Sequence, residues 1–463
     1  MSEIIWSKTI RNKPMLIYDN FAYTFDKKSG DSERWRCRKR WCKGRLVFFP
    51  PEKAEIVEKH CHSALENEIN IIKINEELKE QAIKTNESSR TVVTKSTANK
   101  DRAEIEKLPS RKAMMNTVTR KRNKEIPGFK PKQKDIPEEL FKNQRGEVFL
   151  RYDSGCDAKE RYVIFMSDLQ KEEIKNCKVF LIDGTFRSVP SCFYQLITIH
   201  GDFFRKFIPF CHILMTSIKQ DEYVKVFHHL VKISNISPEN IIIDFERALM
   251  NSLKEVFTFS KISGCNFHFG QMIWRNIQIN GLTGLYKENS NIRKILRMIL
   301  SLPFFPINEV NTTFNEIQNL NSETIENINL QNFLAYFKKT FISETNQDEE
   351  QTSSYRISFW SCFDRVLNEI PRTTNVLEAW HRSLNQNFNI AHPNIVQFIK
   401  ILGESEERDR VYICQVKSGR NLEISNYNLS KDKKIKVILK NHMYLSKDSY
   451  FLFLDNLIEM KTK

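Results

Sequence analysis

The stretch Lys178–Arg187, KVFLIDGTFR, limits most what this chain can fold into. Its four apolar residues, Val179 to Ile182, form a short, β-rich run that reads as a strand buried on both faces. The run ends on Asp183, and Gly184-Thr185 starts a turn, which leaves a carboxylate at the C-terminal end of the strand, pointing out of the core. A second apolar run, Ile241-Ile242-Ile243, ends in the same way on Asp244, and a third acid, Glu378, sits in the helix-like segment PRTTNVLEAWHRSLN. Delivered by two strand ends and one helix, the three carboxylates can converge around divalent metal, because hard cations favour carboxylate oxygens. Glu246, two residues past Asp244, is the rival third acid, but it opens the next helix, where a carboxylate suits the N-terminal dipole.

The surrounding order is that of a mixed α/β layout. FYQLITIHG and KFIPFCHILMT follow as two more strands about the turn Gly201-Asp202, giving an antiparallel meander. DEYVKVFHHLVKIS then carries the chain as a helix to the strand ending on Asp244, and ERALMNSLKEVF, SKISGCNFH and QMIWRNIQING read as helix, strand and helix. This sets a core over 148–281. The excess over 282–370 has helical periodicity in IRKILRMILSL and LQNFLAYFKKTF and reads as an all-helical insertion, followed by a core helix with Glu378 in 371–403 and a tail, 404–463, of little pattern.

Ahead of the core, 4–65 alternates in short β-like segments and is too small to hold itself together by burial alone. Cys37-x4-Cys42 followed by His60-x-His62 offers four ligands suited to tetrahedral zinc, whose binding energy would supply the missing stability. On an extended strand His60 and His62 share a face while Cys61 points away, which makes Cys61 the rival ligand. Arg34, Arg36, Arg38, Lys39, Arg40, Lys43 and Arg45 surround two tryptophans, a mixture suited to phosphate contact and stacking. From 66 to 134 the chain turns polar and basic and reads as a linker with one helical segment; its Arg120-Lys121-Arg122-Asn123-Lys124 suits nuclear import or DNA backbone contact.

With 463 residues the chain has room for two to four domains. Lys and Arg outnumber Asp and Glu 72 to 57, a net charge of +15 that favours a polyanionic partner. Ten irregularly spaced cysteines and an N-terminus without an apolar signal core point to a reducing compartment. No apolar run is long enough to span a bilayer, and the absence of GxxxxGK[ST] and GxGxxG argues against a nucleotide-driven motor or a dinucleotide enzyme.

DGTF at Asp183–Phe186, DFERA at Asp244–Ala248, the Cys265-x2-His268 step and NVLEAWH at Asn375–His381 occur in an order that resembles the catalytic core of the Mutator-like element (MULE) transposases, over roughly half the chain. Phe21, Tyr23, Trp35, Cys37, Cys42, Gly44, Arg45, Leu46, His60 and His62 resemble the FLYWCH-type zinc finger. The first resemblance implies a ribonuclease-H-like fold in which the Asp183 and Asp244 strands are neighbours, and a DDE enzyme that cleaves and joins double-stranded DNA. Asp183, Asp244 and Glu378 would be its catalytic ligands for Mg²⁺ or Mn²⁺, with Cys265, His268 and His381 auxiliary nearby. His381, three residues after Glu378, shares its helical face and either orients Glu378, touches the scissile phosphate or is an ordinary half-buried histidine. The second resemblance implies structural Zn²⁺ on Cys37, Cys42, His60 and His62, with DNA contact through Arg36, Arg38, Lys39, Arg40, Lys43 and Arg45. Together they imply binding of terminal inverted repeats and target DNA, a homodimer on DNA, no membrane and a nuclear location. The alternative is a domesticated, non-catalytic DNA-binding regulator. Many relatives carry a SWIM-type Cys/His module after the core, which the lone Cys414 cannot supply.

Overall fold

The computed structural model describes residues 4–8, 13–51, 53–64, 66–85, 87, 89–100, 102–125, 135–187, 189–204, 206–320, 327–342, 353–388, 393–420 and 427–456. The chain is mixed α+β and forms two compact units, Met1–Pro131 and Lys132–Lys463.

In the first unit, β1 (Ile5–Lys8), β2 (Pro14–Tyr18), β3 (Phe21–Ser29), β4 (Ser32–Cys37), β5 (Arg45–Phe49) and β6 (Lys53–Glu58) follow one another as neighbours in one antiparallel sheet. The β2–β3 turn is Asp19-Asn20, both at positive φ (50° and 60°), residue types that tolerate the left-handed region a two-residue hairpin requires. Side chains alternate as a pleat dictates: in β4, Trp35 and Cys37 are buried while Arg34 and Arg36 are exposed. Among the described residues the cluster within the sheet comprises Leu16, Tyr23, Trp35, Leu46 and Phe48, too little for independent stability.

Residues 66–134, read above as a linker with one helical segment, are instead helical over most of their described length. α1 (Glu66–Lys84), α2 (Ser89–Thr97), α3 (Arg102–Glu106) and α4 (Arg111–Glu125) enclose a small core of Ile74, Leu78, Ala82, Val92, Val93, Met114 and Val118. The apolar residues are sparse, but Ile74, Leu78 and Ala82 recur every fourth position and so make one stripe. Within the basic segment, Arg122 is buried, and its guanidinium donates to the carbonyls of Ala82 (2.8 Å) and Thr85 (2.9 Å), closing the C-terminal end of α1. It is a structural cation, not a surface one.

The second unit is built on a seven-stranded sheet in the order β13-β12-β9-β10-β11-β8-β7. β9 (Val179–Thr185), β10 (Gln195–Phe203) and β11 (Lys206–Met215) are the antiparallel meander, and β12 (Asn240–Ile243) and β13 (Lys261–Gly264) continue the sheet in parallel from β9. β12 pairs with β9 through Ile241↔Phe180 and Ile242↔Leu181, so Asp183 and Asp244 leave neighbouring strands at the same end. On the far edge, β7 (Leu150–Asp153) and β8 (Tyr162–Phe165) form a hairpin with no counterpart in the expected layout.

The crossover helix α6 (Gln220–Ser234) packs with α7 (Arg247–Val256) against the sheet face bearing Phe180 and Ile182; α5 (Asp168–Glu173) precedes β9. After β13 come α8 (Asn266–Ile279), α9 (Thr283–Glu288), α10 (Ser290–Ser301), α11 (Ile307–Gln318), α12 (Ile328–Phe341), α13 (Ile357–Trp360) and α14 (Phe363–Leu367). These helices share an aromatic interior that includes Phe269, Phe314, Phe337, Phe341 and Trp360. Buried Arg365 donates to the carbonyls of Ser361 and Gly264, both at 3.0 Å, and so ties the helical region to the end of β13. On the other sheet face, α15 (Asn375–Asn387) sets Leu377 among Leu181, Ile242 and Cys265. α16 (Ile395–Lys417) covers Val163, Phe165 and Leu214 with Phe398 and Leu402. The tail also has structure: α17 (Tyr427–Lys440) and α18 (Lys447–Asp455) add Ile435, Leu439, Tyr450 and Leu454 to the main core.

Two fully buried histidines lie under α15. His212 stacks on Trp380 (centroids 5.1 Å apart), His200 meets its edge (5.7 Å), and neither imidazole has a hydrogen-bond partner among the described residues. Burial pulls both below the ordinary histidine value, His212 to about 3. At these two sites the folded chain binds fewer protons than the unfolded one below about pH 6.5, so their contribution to stability is present above that value and lost as pH falls. We expect His212→Phe to gain melting temperature relative to the parent as pH drops from 6.5 to 5; an unchanged difference between the two in scanning calorimetry would contradict the assignment.

Candidate functional site

In the finger sheet, Cys37 ends β4, Cys42 lies in the following turn, and His60 and His62 come just after β6. Their four ligand atoms lie within 4.8 Å of one another, and no other group among the described residues meets that spacing with three ligands. Cys37 Sγ is 3.3 Å from His62 Nε2 and Cys42 Sγ is 3.4 Å from His60 Nδ1. Ligand bonds of about 2.0–2.3 Å set tetrahedral edges of about 3.5 Å, so the donors fit zinc. The second ring nitrogens agree: His62 Nδ1 donates to the Ser63 carbonyl (2.8 Å), and His60 Nε2 is 2.7 Å from the buried Tyr23 hydroxyl. Each bond leaves the opposite nitrogen free for metal. Cys61, the rival ligand, is exposed and outside the cluster.

Phe21 stacks on His60 with centroids 3.8 Å apart, while Trp41 and Phe21 bracket His62. Gly44 completes the seat, because a Cβ there would lie 2.6 Å from His60 Nδ1 and Cε1. Gly44→Ala should push the His60 ring off its position and weaken zinc binding about 10- to 100-fold, which competition with a chelating dye would read; unaltered affinity would mean the ring has another seat.

The basic residues divide. Arg36, Arg38, Arg40 and Lys43 are exposed. Lys39 sits 5.7 Å from the ring centre of Trp41, which is 65% exposed. Arg45 donates to the carbonyls of Lys43 and Gly44, both at 3.1 Å, so part of its donor capacity is spent on its own turn.

In the second unit, Asp183 is only 7% exposed and Asp244 and Glu378 are half-buried. Burial raises the Asp183 carboxyl to about 7; the nearby charges of Asp244 and Glu378 add to the rise, and His268 opposes it. Asp244 Oδ1 accepts the Glu246 N–H (3.0 Å), closing the turn into α7. Glu246 is at the start of α7 but does not cap it: its carboxylate accepts from the Tyr223 hydroxyl (2.9 Å). Glu378 occupies the first turn of α15, with His268 Nε2 3.9 Å from its Oε1. Burial alone would lower the His268 imidazole, but contact with Cys265 and the charges of Asp183 and Asp244 outweigh it and raise it to about 9.

His381 faces Asp183, not Glu378. Its Nδ1 lies 3.7 Å from Asp183 Oδ2, and its Nε2 bonds Thr198 Oγ1 at 2.9 Å. Burial lowers this imidazole to about 4, which keeps it neutral. Cys265 is buried and accepts from both the backbone N–H and the hydroxyl of Thr374, each at 3.3 Å, anchoring the residue that begins α15. Sequence reasoning missed Thr198 and Thr374; Thr374 carries a faint signal as a threonine at a helix start. Close by in the chain, the buried Oδ1 atoms of Asn266 and Asn375 have no hydrogen-bond partner among the described residues. Crowded carboxylates and unpaired carbonyl oxygens fit a divalent cation.

These features define a two-unit α+β protein with a built Cys2His2-type site in its first unit and an acidic cluster at a sheet end in its second. Residues 179–272 match the MULE transposase domain, and residues 6–62 match the FLYWCH zinc finger domain. The first match contains Asp183, Asp244, Cys265 and His268, and Glu378 lies beyond it; the second contains all four zinc ligands. No curated protein matches the chain. Among the described residues no helix is long and apolar enough to cross a membrane.

Proposed function

We propose that the chain is a MULE-type DDE transposase that binds terminal inverted repeats and performs metal-dependent DNA cleavage and strand transfer. The observation that carries this reading is that Asp183 and Asp244 leave neighbouring strands at one end of the sheet, and that Asp244 and Glu378 lie near enough for their charges to help raise the Asp183 carboxyl. The meander β9–β11, followed by β12 returning in parallel beside β9, supports a ribonuclease-H-like assignment.

Mg²⁺ or Mn²⁺ held by the three acids would supply charge neutralisation at the scissile phosphate and a nucleophile active near neutral pH. The protein's own groups do the rest. Thr198 fixes the neutral His381 ring beside Asp183, Thr374 and Cys265 fix the start of the helix carrying Glu378, and protonated His268 places positive charge beside the acids. The finger supplies DNA contact through Arg36, Arg38, Lys39, Arg40 and Lys43. Pairing two DNA ends requires at least a dimer, and the substrate places the protein in the nucleus.

Full-length protein with Mn²⁺ should nick and join duplex DNA bearing the element ends, and Glu378→Gln should abolish both while leaving DNA binding intact. The family match ends at residue 272, short of Glu378, and this favours a second reading, a non-catalytic DNA-binding regulator descended from such an enzyme. Binding without nicking at any divalent metal would decide for it.

A further inference from the structure

Away from the acids, a cleft of about 670 Å³ lies between the edge hairpin and α6. Tyr152, Lys159 and Tyr162 line one wall; Lys225, His229 and Lys232 line the other. The last three are spaced four and three residues apart and so form one stripe of the helix, with Lys225 and Lys232 about 10 Å apart along the axis. The aromatic floor is fixed, since Tyr152 stacks on His229 at 4.2 Å and the Tyr162 hydroxyl bonds His229 Nδ1.

Charge decides what the cleft takes. Its two carboxylates are already matched, Glu160 by Lys219 (2.8 Å) and Glu222 by Lys225 (2.7 Å). Lys159 and Lys232 are exposed and make no ion pair among the described residues, and His228 adds a third basic group at the rim. The volume is that of a small-molecule site, about 300–1,000 Å³, so it admits a short length of one backbone, whether of a single strand or of the near strand of a duplex lying across its mouth.

We propose that this cleft seats the phosphodiester backbone of one DNA strand, a second nucleic-acid contact separate from the finger. The proposal rests on the DNA-binding reading above. Placement supports it. Tyr162 pairs with Met215 and Met215 with Gln195, next to Leu196, the partner of Thr185. The cleft thus opens at the end of the sheet where Asp183 lies, three strand spacings or about 14 Å away. Asp183 and Tyr162 lie on opposite faces, so the path between them rounds the sheet end. At about 3.4 Å per base pair the in-sheet offset alone equals about four base pairs, and the passage round the sheet end adds to it.

Lysine acetylation of the full chain, read by mass spectrometry with and without a mixed-sequence duplex or single-stranded oligonucleotide, tests this. Lys159 and Lys232 should be protected several-fold by either DNA and by neither inorganic phosphate nor a mononucleotide. The Lys159→Gln/Lys232→Gln protein should show a salt dependence of DNA binding shallower by about 2 in log–log slope, unlike a Lys261→Gln/Lys400→Gln control of equal charge loss. Equal protection by inorganic phosphate would make this a small-anion site and overturn the proposal, as would an equal slope change in the control. Finger lysines protected while Lys159 and Lys232 react freely would sink this inference alone, whereas no DNA binding by the full chain would sink the proposed function with it.

Discussion

Cys42→Ser is expected to unfold the six-stranded finger sheet and leave the second unit standing. Cys42 is 4% exposed, with the Gly44 N–H directed at its sulfur (3.4 Å), and a serine oxygen there is both shorter and harder than the thiolate zinc favours. The sheet has little else to hold it, because its interior is five side chains and one of these, Tyr23, is itself bonded to a zinc ligand. Structural zinc commonly contributes on the order of 10 kcal/mol in such small modules, more than a core of this size supplies. Seven strands and the aromatic helical core make the second unit independent of the metal. One zinc per chain should be lost to a chelating dye, the low-temperature unfolding transition should vanish, and the main one should persist. Specific DNA binding should fall by more than about tenfold, with a shallower salt dependence as finger phosphate contacts disappear. Retained zinc in the variant would reject Cys42 as a ligand.

What the sequence disclosed and what it hid separate along one physical line. The zinc ligands were legible because their geometry is local: two cysteines flank one turn, and two histidines two positions apart follow the end of β6. Asp183 and Asp244 were legible because a strand covered on both faces must be a continuous apolar run, so the residue that breaks it is conspicuous. Contacts made across the fold were not. The rule that side chains three apart share a helical face is sound for His381 and Glu378, yet the direction of His381 is set by Thr198 on the sheet beneath it. Arg122 read as one cation in a basic cluster because nothing local shows that two carbonyls some 40 residues upstream need a donor. Likewise α1 and α2, and the helices after 427, escaped notice because short amphipathic stripes, each inadequate alone, become stable only against partners the sequence does not display.

Asp183→Asn should cut metal-dependent DNA cleavage by about 10³-fold or more, the scale on which loss of an essential catalytic group is felt, while leaving the metal-free protein at least as stable as the parent at pH 8. The two effects have opposite sign for one reason. In the folded chain the Asp183 carboxyl keeps its proton up to about pH 7, against about 3.8 for an exposed aspartate. A raised folded value means that this group favours the fold fully below about pH 3.8 and that its contribution is lost as pH rises to about 7. At pH 8 the parent therefore carries a buried carboxylate near Asp244 and Glu378, and asparagine, which has nearly the same shape and can still meet His381, removes that charge. Divalent cation should reverse the order, since it binds the ionised carboxylate: Mn²⁺ should raise the melting temperature of the parent more at pH 8 than at pH 6, and raise that of Asp183→Asn little at either. Loss of cleavage accompanied by a lower metal-free melting temperature at pH 8 would mean that the variant has merely lost its fold, and cleavage equal to the parent's would remove Asp183 from the mechanism.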